Sequence, residues 1–173
     1  MFRGQLLAIF IAPRESAPVQ SVDRSEAVAG QGLAGDRYSL ATGTFSKGRA
    51  VNGPIVKPDQ EVTLIESEVL AAVAADYGIE LPPDQARRNL LTRGVPLNHL
   101  VSREFLVGAV RLRGLRLCEP CKHLEKLTQE GVRQALVHRG GLRAQILAGG
   151  TLRVGDAIAL CNADALCNAR PAK

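Results

Sequence analysis

The chain never runs far before a glycine or a proline interrupts it. Seventeen glycines and nine prolines stand among 173 residues, and the apolar stretches between them are short. Leu6–Ile11 stops before Pro13, Glu61–Ile65 is bounded by polar residues, and Leu142–Leu147, Leu152–Val154 and Ala157–Leu160 are separated by Gly149-Gly150 and Gly155-Asp156. Runs of this length, set between turn residues, read as strands. Val110-Arg111-Leu112-Arg113 alternates with the period of a half-buried strand, and Leu115-Arg116-Leu117 resumes the alternation after a glycine that suggests a bulge.

Helices are few. The clearest spans Ser67 to Tyr77 and stops at Gly78, a residue suited to a C-cap. Two shorter ones are expected over Lys122–Leu127 and Glu130–Val137. The fold class that follows is mainly β: a closed or nearly closed, barrel-like sheet with a few peripheral helices. The two glycine turns near the end are expected to make hairpins. With no repeat and no linker, residues 1–173 read as one domain, with a core of about 5–160 and a frayed tail at 161–173.

Several function classes fall away on composition. At 46% hydrophobic and 23% charged residues the chain is ordinary globular material. The apolar run Val69–Ala75 is far short of the roughly 20 residues that span a bilayer. Leu6–Ile11 makes no secretory signal, so the expected compartment is the cytoplasm. The net charge is +5, and 17 of the 22 basic residues are Arg, whose planar fork suits phosphate and carboxylate. An anionic ligand fits that bias. Nucleic acid fits less well, because aromatic platforms are scarce: the chain has four Phe, two Tyr and no Trp.

The sharpest local feature is Cys118-Glu119-Pro120-Cys121 at the end of a strand and the start of a helix. A helix beginning here would place the Cys121 sulfur near its positive end, beside Lys122 and His123, where a thiolate is favoured. Three uses of such a thiolate compete. A thioredoxin-like dithiol matches locally, but only Pro171 lies downstream to supply that fold's proline. A zinc site of Cys118, Cys121, Cys161 and Cys167, with or without His123, has one normal half-site and one irregular one. Cys121 alone could serve as a soft ligand to a metal such as molybdenum.

The order and spacing of further segments resemble one family, the MOSC domain, named for the C-terminal domain of molybdenum-cofactor sulfurases. The resemblance runs from about Gln5 to Leu160. It is carried by Gly35-Asp36-Arg37-Tyr38, Glu61–Glu66, Arg87-Arg88-Asn89-Leu90, Glu119-Pro120-Cys121, Gly140–Ala144, Gly149-Gly150 and Val154-Gly155-Asp156. It implies a molybdenum cofactor (molybdopterin) as the bound group, with Cys121 as metal ligand and catalytic residue. The family's Arg-x-Asn motif falls on Arg87 and Asn89, and its Gly-Asp stretch on Asp36 and Arg37, which become the implied cofactor-binding residues. The chemistry agrees: a soft metal accepts a thiolate, a phosphate wants a guanidinium fork, and a pterin rim wants an amide.

The implied activity is either reduction of an N-hydroxylated small molecule or carriage of sulfur or cofactor on Cys121. The partners are then a small-molecule substrate and a separate electron-donor or sulfur-donor protein. The rival is a non-enzymatic module for an anion, nucleic acid or a phosphorylated ligand. The extra N-terminal β domain of amidoxime-reducing relatives and the pyridoxal-phosphate domain of sulfurase relatives are not read in these 173 residues, so a desulfurase role is not expected.

Overall fold

A computed structural model of the chain describes residues 2–43 and 56–161. The alternating segments form the strands of a closed barrel. Its staves, in spatial order, are β1 (Gly4–Ile11), β6 (Leu90–Arg93), β5 (Val62–Glu66), β9 (Leu142–Ala148), β8 (Val110–Leu117), β7 (Glu104–Val107) and β11 (Ala157–Leu160). Closure comes where β11 returns to β1, pairing Gly4 with Ile158 and Gln5 with Ala157. β2 (Gln20–Val22) extends the same edge of β1 at its other end. The mainly β, barrel-like architecture expected from the sequence is therefore the observed one.

One pair of neighbouring staves, β5 and β6, is parallel. Parallel neighbours need a crossover, and α1 (Ser67–Tyr77) supplies it within the connection. It ends where the sequence indicates, with Gly78 at φ 66° and its N–H bonded to the Ala74 carbonyl at 2.9 Å. In β8 the pairing with β9 shifts between Gly114 and Arg116, so the suspected bulge is present. Val110 and Leu112 point into the barrel, where they meet Phe105, Leu64 and Leu142, all fully buried. Arg113 and Arg116 face outward and pair with Glu104 and Asp59. Truncating Phe105 to Ala removes the largest of these buried side chains and is expected to cost roughly 3–5 kcal/mol; a denaturant titration reads it directly.

A second, smaller sheet holds β3 (Arg24–Val28), β4 (Gly32–Leu33) and β10 (Gly150–Arg153), with β3 in the middle. This corrects the hairpin reading of the chain's end. At Gly149 the backbone leaves the barrel against the Ala27 carbonyl. β10 then pairs with β3, Gly150 opposite Ala27, and β11 comes back to β7 and β1. The apolar run gave the strand but not its partner. Two further helices, α2 (Lys122–Leu127) and α3 (Val132–Ala135), pack with α1 over a second apolar cluster. α3 is shorter than expected: it starts after left-handed Gly131 and is capped at Leu136, φ −101°. No helix among the described residues is long and apolar enough to cross a membrane. The tail after Cys161 and most of the loop after Ala41 lie outside the described residues.

Glu61 ties the two sheets together. Its buried carboxylate accepts N–H bonds from Ile146 on β9 at 2.9 Å and from Gly30, in the turn between β3 and β4, at 3.3 Å. Burial holds this carboxyl above the usual glutamate range, against the two N–H groups, which favour the anion. The folded chain thus keeps the proton more tightly than the unfolded chain does. The corresponding stability is complete below the ordinary glutamate range and declines as pH rises through the raised folded value. Thermal melts from acid to neutral pH are expected to show less of this decline in Glu61→Gln than in wild type; parallel profiles would contradict the assignment.

Candidate functional site

Four segments enclose a cleft lined by Arg37, Tyr38, Arg87, Arg88, Cys121, His123, Leu124 and Arg143. Between its walls, solvent side included, lies about 500 Å³ of free space. Arg37 and Tyr38 follow β4, Arg87 and Arg88 precede β6, Cys121 caps α2, and Arg143 stands on β9.

Cys121 is exposed and sits as the N-cap of α2 in an extended conformation, one position earlier than a place inside the first turn. Its Sγ accepts the Leu124 N–H at 3.5 Å. Cys118 is buried, with its N–H on the Gly141 carbonyl at 2.7 Å. The two cysteines therefore differ in access: one opens on the cleft and the other is packed behind it. His123 stands on the same wall, its Nε2 3.3 Å from the Ser16 hydroxyl.

Arg37 lies over the Tyr38 ring, 5.0 Å from its centroid, and 3.5 Å from the Asp36 carboxylate. Asp36 itself is buried and does not line the cleft. Its oxygens accept the N–H groups of Ala12 and Tyr38, so it works through its neighbours, holding Arg37 and Tyr38 in place. Burial raises the Tyr38 phenol above its ordinary range, while Arg37 and Arg143 pull the other way.

Arg87 reaches the cleft from a left-handed backbone, φ 56°, and donates from Nη1 to the Ala17 carbonyl at 2.8 Å. Burial, and then the charge of Arg37, push its pKa down, while Asp36 and Tyr38 pull the other way. Asn89, two residues on, turns inward. Its amide oxygen accepts the Thr63 N–H and hydroxyl at 3.1 and 2.9 Å, and its NH₂ donates to the Phe10 carbonyl at 3.2 Å. That side chain fastens β5 to β1 and β6 and is not on the cleft wall. Of the residues the sequence singles out, Arg37, Arg87 and Cys121 come together in the cleft. Asp36 stands behind it and Asn89 lies in the barrel wall.

Arg143 was missed. Its neighbours Leu142 and Ala144 point into the barrel, so alternation alone puts Arg143 on the outer face. The sequence does not say that this face is the cleft. Its Nη1 donates to the Asp59 backbone carbonyl at 2.9 Å, and its buried Nε has no hydrogen-bond partner among the described residues. The Asp59 carboxylate is engaged by Arg116. Four arginines thus line the cleft, and the Asp36 carboxylate behind it pairs with one of them, Arg37. Among the described residues no group of three or more His, Cys, Asp or Glu side chains could hold a metal ion, and Cys167 lies outside them.

The family model of the MOSC domain matches residues 48–159. Among solved structures, the YuaD protein of Bacillus subtilis is 15% identical, with a TM-score of 0.72 over 91% of this chain and 97% of that one. YiiM from Geobacillus stearothermophilus is 13% identical, with a TM-score of 0.68 over 92% of this chain and 75% of its own. YiiM from Escherichia coli is 16% identical, with a TM-score of 0.63, covering 91% and 70%. At these identities the likeness is one of fold. No curated protein matches the sequence.

Proposed function

Because the chain belongs to the MOSC domain family, we propose that it binds the molybdenum cofactor in the arginine-lined cleft, with Cys121 as the protein's ligand to the metal. One observation carries this reading: the exposed thiol shares its cleft with four guanidiniums. The donor set suits the group. A thiolate is the soft ligand that molybdenum accepts. Arg143, with a buried and unpartnered Nε, and Arg87, with no ion pair among the described residues, are placed to receive a phosphate.

When bound, the group supplies two-electron oxygen-atom chemistry, which suits the reduction of an N-hydroxylated small molecule with electrons from a separate donor protein. The chain's own share is to hold and orient. Asp36 fixes Arg37 against Tyr38, and the Leu124 N–H holds the Cys121 sulfur at the cleft mouth. A second reading, in which Cys121 carries sulfur as a persulfide, is favoured by the exposure of that thiol. An open nucleic-acid surface fits less well, since the guanidiniums converge in a cleft and few aromatics accompany them.

Reduction of a small amidoxime by the molybdenum-loaded chain, with a reduced dye as electron donor, tests the first reading. An intact-mass gain of one sulfur atom on Cys121 without such turnover would select the second. Arg143→Gln is expected to weaken retention of the cofactor about tenfold, the scale of one charge-assisted hydrogen bond. Equal retention after gel filtration would remove Arg143 from the site.

A further inference from the structure

Arg88 is the most buried of the four arginines that line the cleft, and its guanidinium is turned to the protein's own backbone. It is 7% exposed, and none of the ion pairs among the described residues includes it. Its guanidinium instead donates to three backbone carbonyls: Nε to Gly140 at 2.8 Å, Nη2 to Cys118 at 2.9 Å and Nη1 to Ala86 at 3.1 Å. A buried cation is costly even when satisfied, and apolar replacements of buried charges are often neutral or stabilising. Stability alone gives little reason for an arginine here. The geometry gives one, because a rigid planar fork spreads its donors from Nε to both Nη atoms and so reaches three carbonyls that the compact head of a lysine would have to share from one nitrogen.

Those carbonyls belong to the three segments that arm the cleft. Ala86 precedes Arg87. Cys118 stands three residues before Cys121, and Gly140 three before Arg143. The Gly140 backbone also presses on the cysteine segment: a Cβ at that position would lie 2.5 Å from the Cys118 carbonyl oxygen and 3.3 Å from Pro120 Cδ. We infer that Arg88 is a positioning residue that locks Cys121, Arg87 and Arg143 in register across the cleft. This rests on the reading of Cys121 and the arginines as the cofactor site.

The test uses the full chain and two readouts. The first is independent of any cofactor: protection of buried Cys118 from alkylation at one fixed pH, read by fragmentation of the tryptic peptide 117–122 alongside exposed Cys121. The second is molybdenum per chain after expression in a molybdenum-sufficient host. Arg88→Lys keeps the charge but loses the fork. It is expected to keep a cooperative thermal transition, to raise Cys118 alkylation at least about tenfold through local opening, and to lower molybdenum content by a similar factor. Methylguanidinium added to Arg88→Ala is expected to restore both, and methylammonium neither.

Wild-type protection of Cys118 in Arg88→Lys would overturn the inference, as would lost protection with full molybdenum. If neither Arg88 variant folds, Gly140→Ala decides, since it displaces the same carbonyl from the other side and must reproduce both losses. If wild type takes up no molybdenum, the cofactor reading fails by itself. The positioning role then stands or falls on Cys118 protection together with calorimetric binding of inorganic phosphate to wild type and Arg88→Lys, a loss of both being required.

Discussion

Gly141→Ala is expected to abolish the folded barrel. Gly141 opens β9 at φ 101°, a conformation that only glycine adopts without strain. A Cβ there would overlap the Leu64 carbonyl oxygen and lie 3.0 Å from its carbon. Neither is a flexible side-chain end that could step aside, because Leu64 is paired with Leu142 in the β5–β9 ladder and Leu90 in the β5–β6 ladder. The Gly141 carbonyl accepts the Cys118 N–H, so the cysteine segment would lose an anchor as well. Backbone strain of roughly 1–3 kcal/mol adds to the opening of a central seam, against a total stability of about 5–15 kcal/mol. Gly30→Ala is the control, since its φ is also positive, 75°, but its Cβ would meet nothing within 4 Å; its cost is expected to be the backbone strain alone, roughly 1–3 kcal/mol. Circular dichroism melts of the two variants give the comparison. A cooperative transition for Gly141→Ala close to that of wild type would refute the account of this seam.

Cys121→Ala is expected to remove bound molybdenum entirely and leave the fold in place. The side chain is exposed, and its one described bond to the protein is the N–H of Leu124, so the cost to stability is that of a weakened cap, about 1 kcal/mol. Cys118→Ala reverses the pattern. It trims a buried side chain beneath the cleft and lowers the melting temperature, while the metal stays. Elemental analysis of each variant beside its melt gives both axes. Equal metal loss from the two would point to a two-cysteine site and revive the zinc and dithiol readings. Full metal in Cys121→Ala would exclude that thiol as the ligand.

How far the sequence reaches can be seen at particular residues. Period and punctuation located β1, α1 and β8, even the bulge at Gly114, because burial and backbone geometry are local properties. They could not say that β10 would leave the barrel for β3, since an apolar run reports a buried face and not a partner. The site was legible in part for the same reason. Cys121 and Arg37 lie beside turn residues whose placement the motifs suggest. The Arg-x-Asn pair divides because Arg87 takes a left-handed backbone, which breaks the two-residue alternation that would otherwise put Arg87 and Asn89 on one side. Arg143 looks like any outward residue of a strand until β9 is known to border the cleft. Arg88, unremarked between its neighbours, shows its role only through carbonyls that lie 30 and 52 residues away.

The central claim, a molybdenum cofactor held at Cys121 among the arginines, is tested most directly on wild-type protein made in a molybdenum-sufficient host. Molybdenum is measured by elemental analysis, and the released pterin by its fluorescence after oxidation. The account predicts both, in equal amounts, co-eluting with the chain and absent from Cys121→Ala. Pure chain carrying zinc, or neither metal nor pterin, from a host whose other molybdenum proteins are loaded would contradict it.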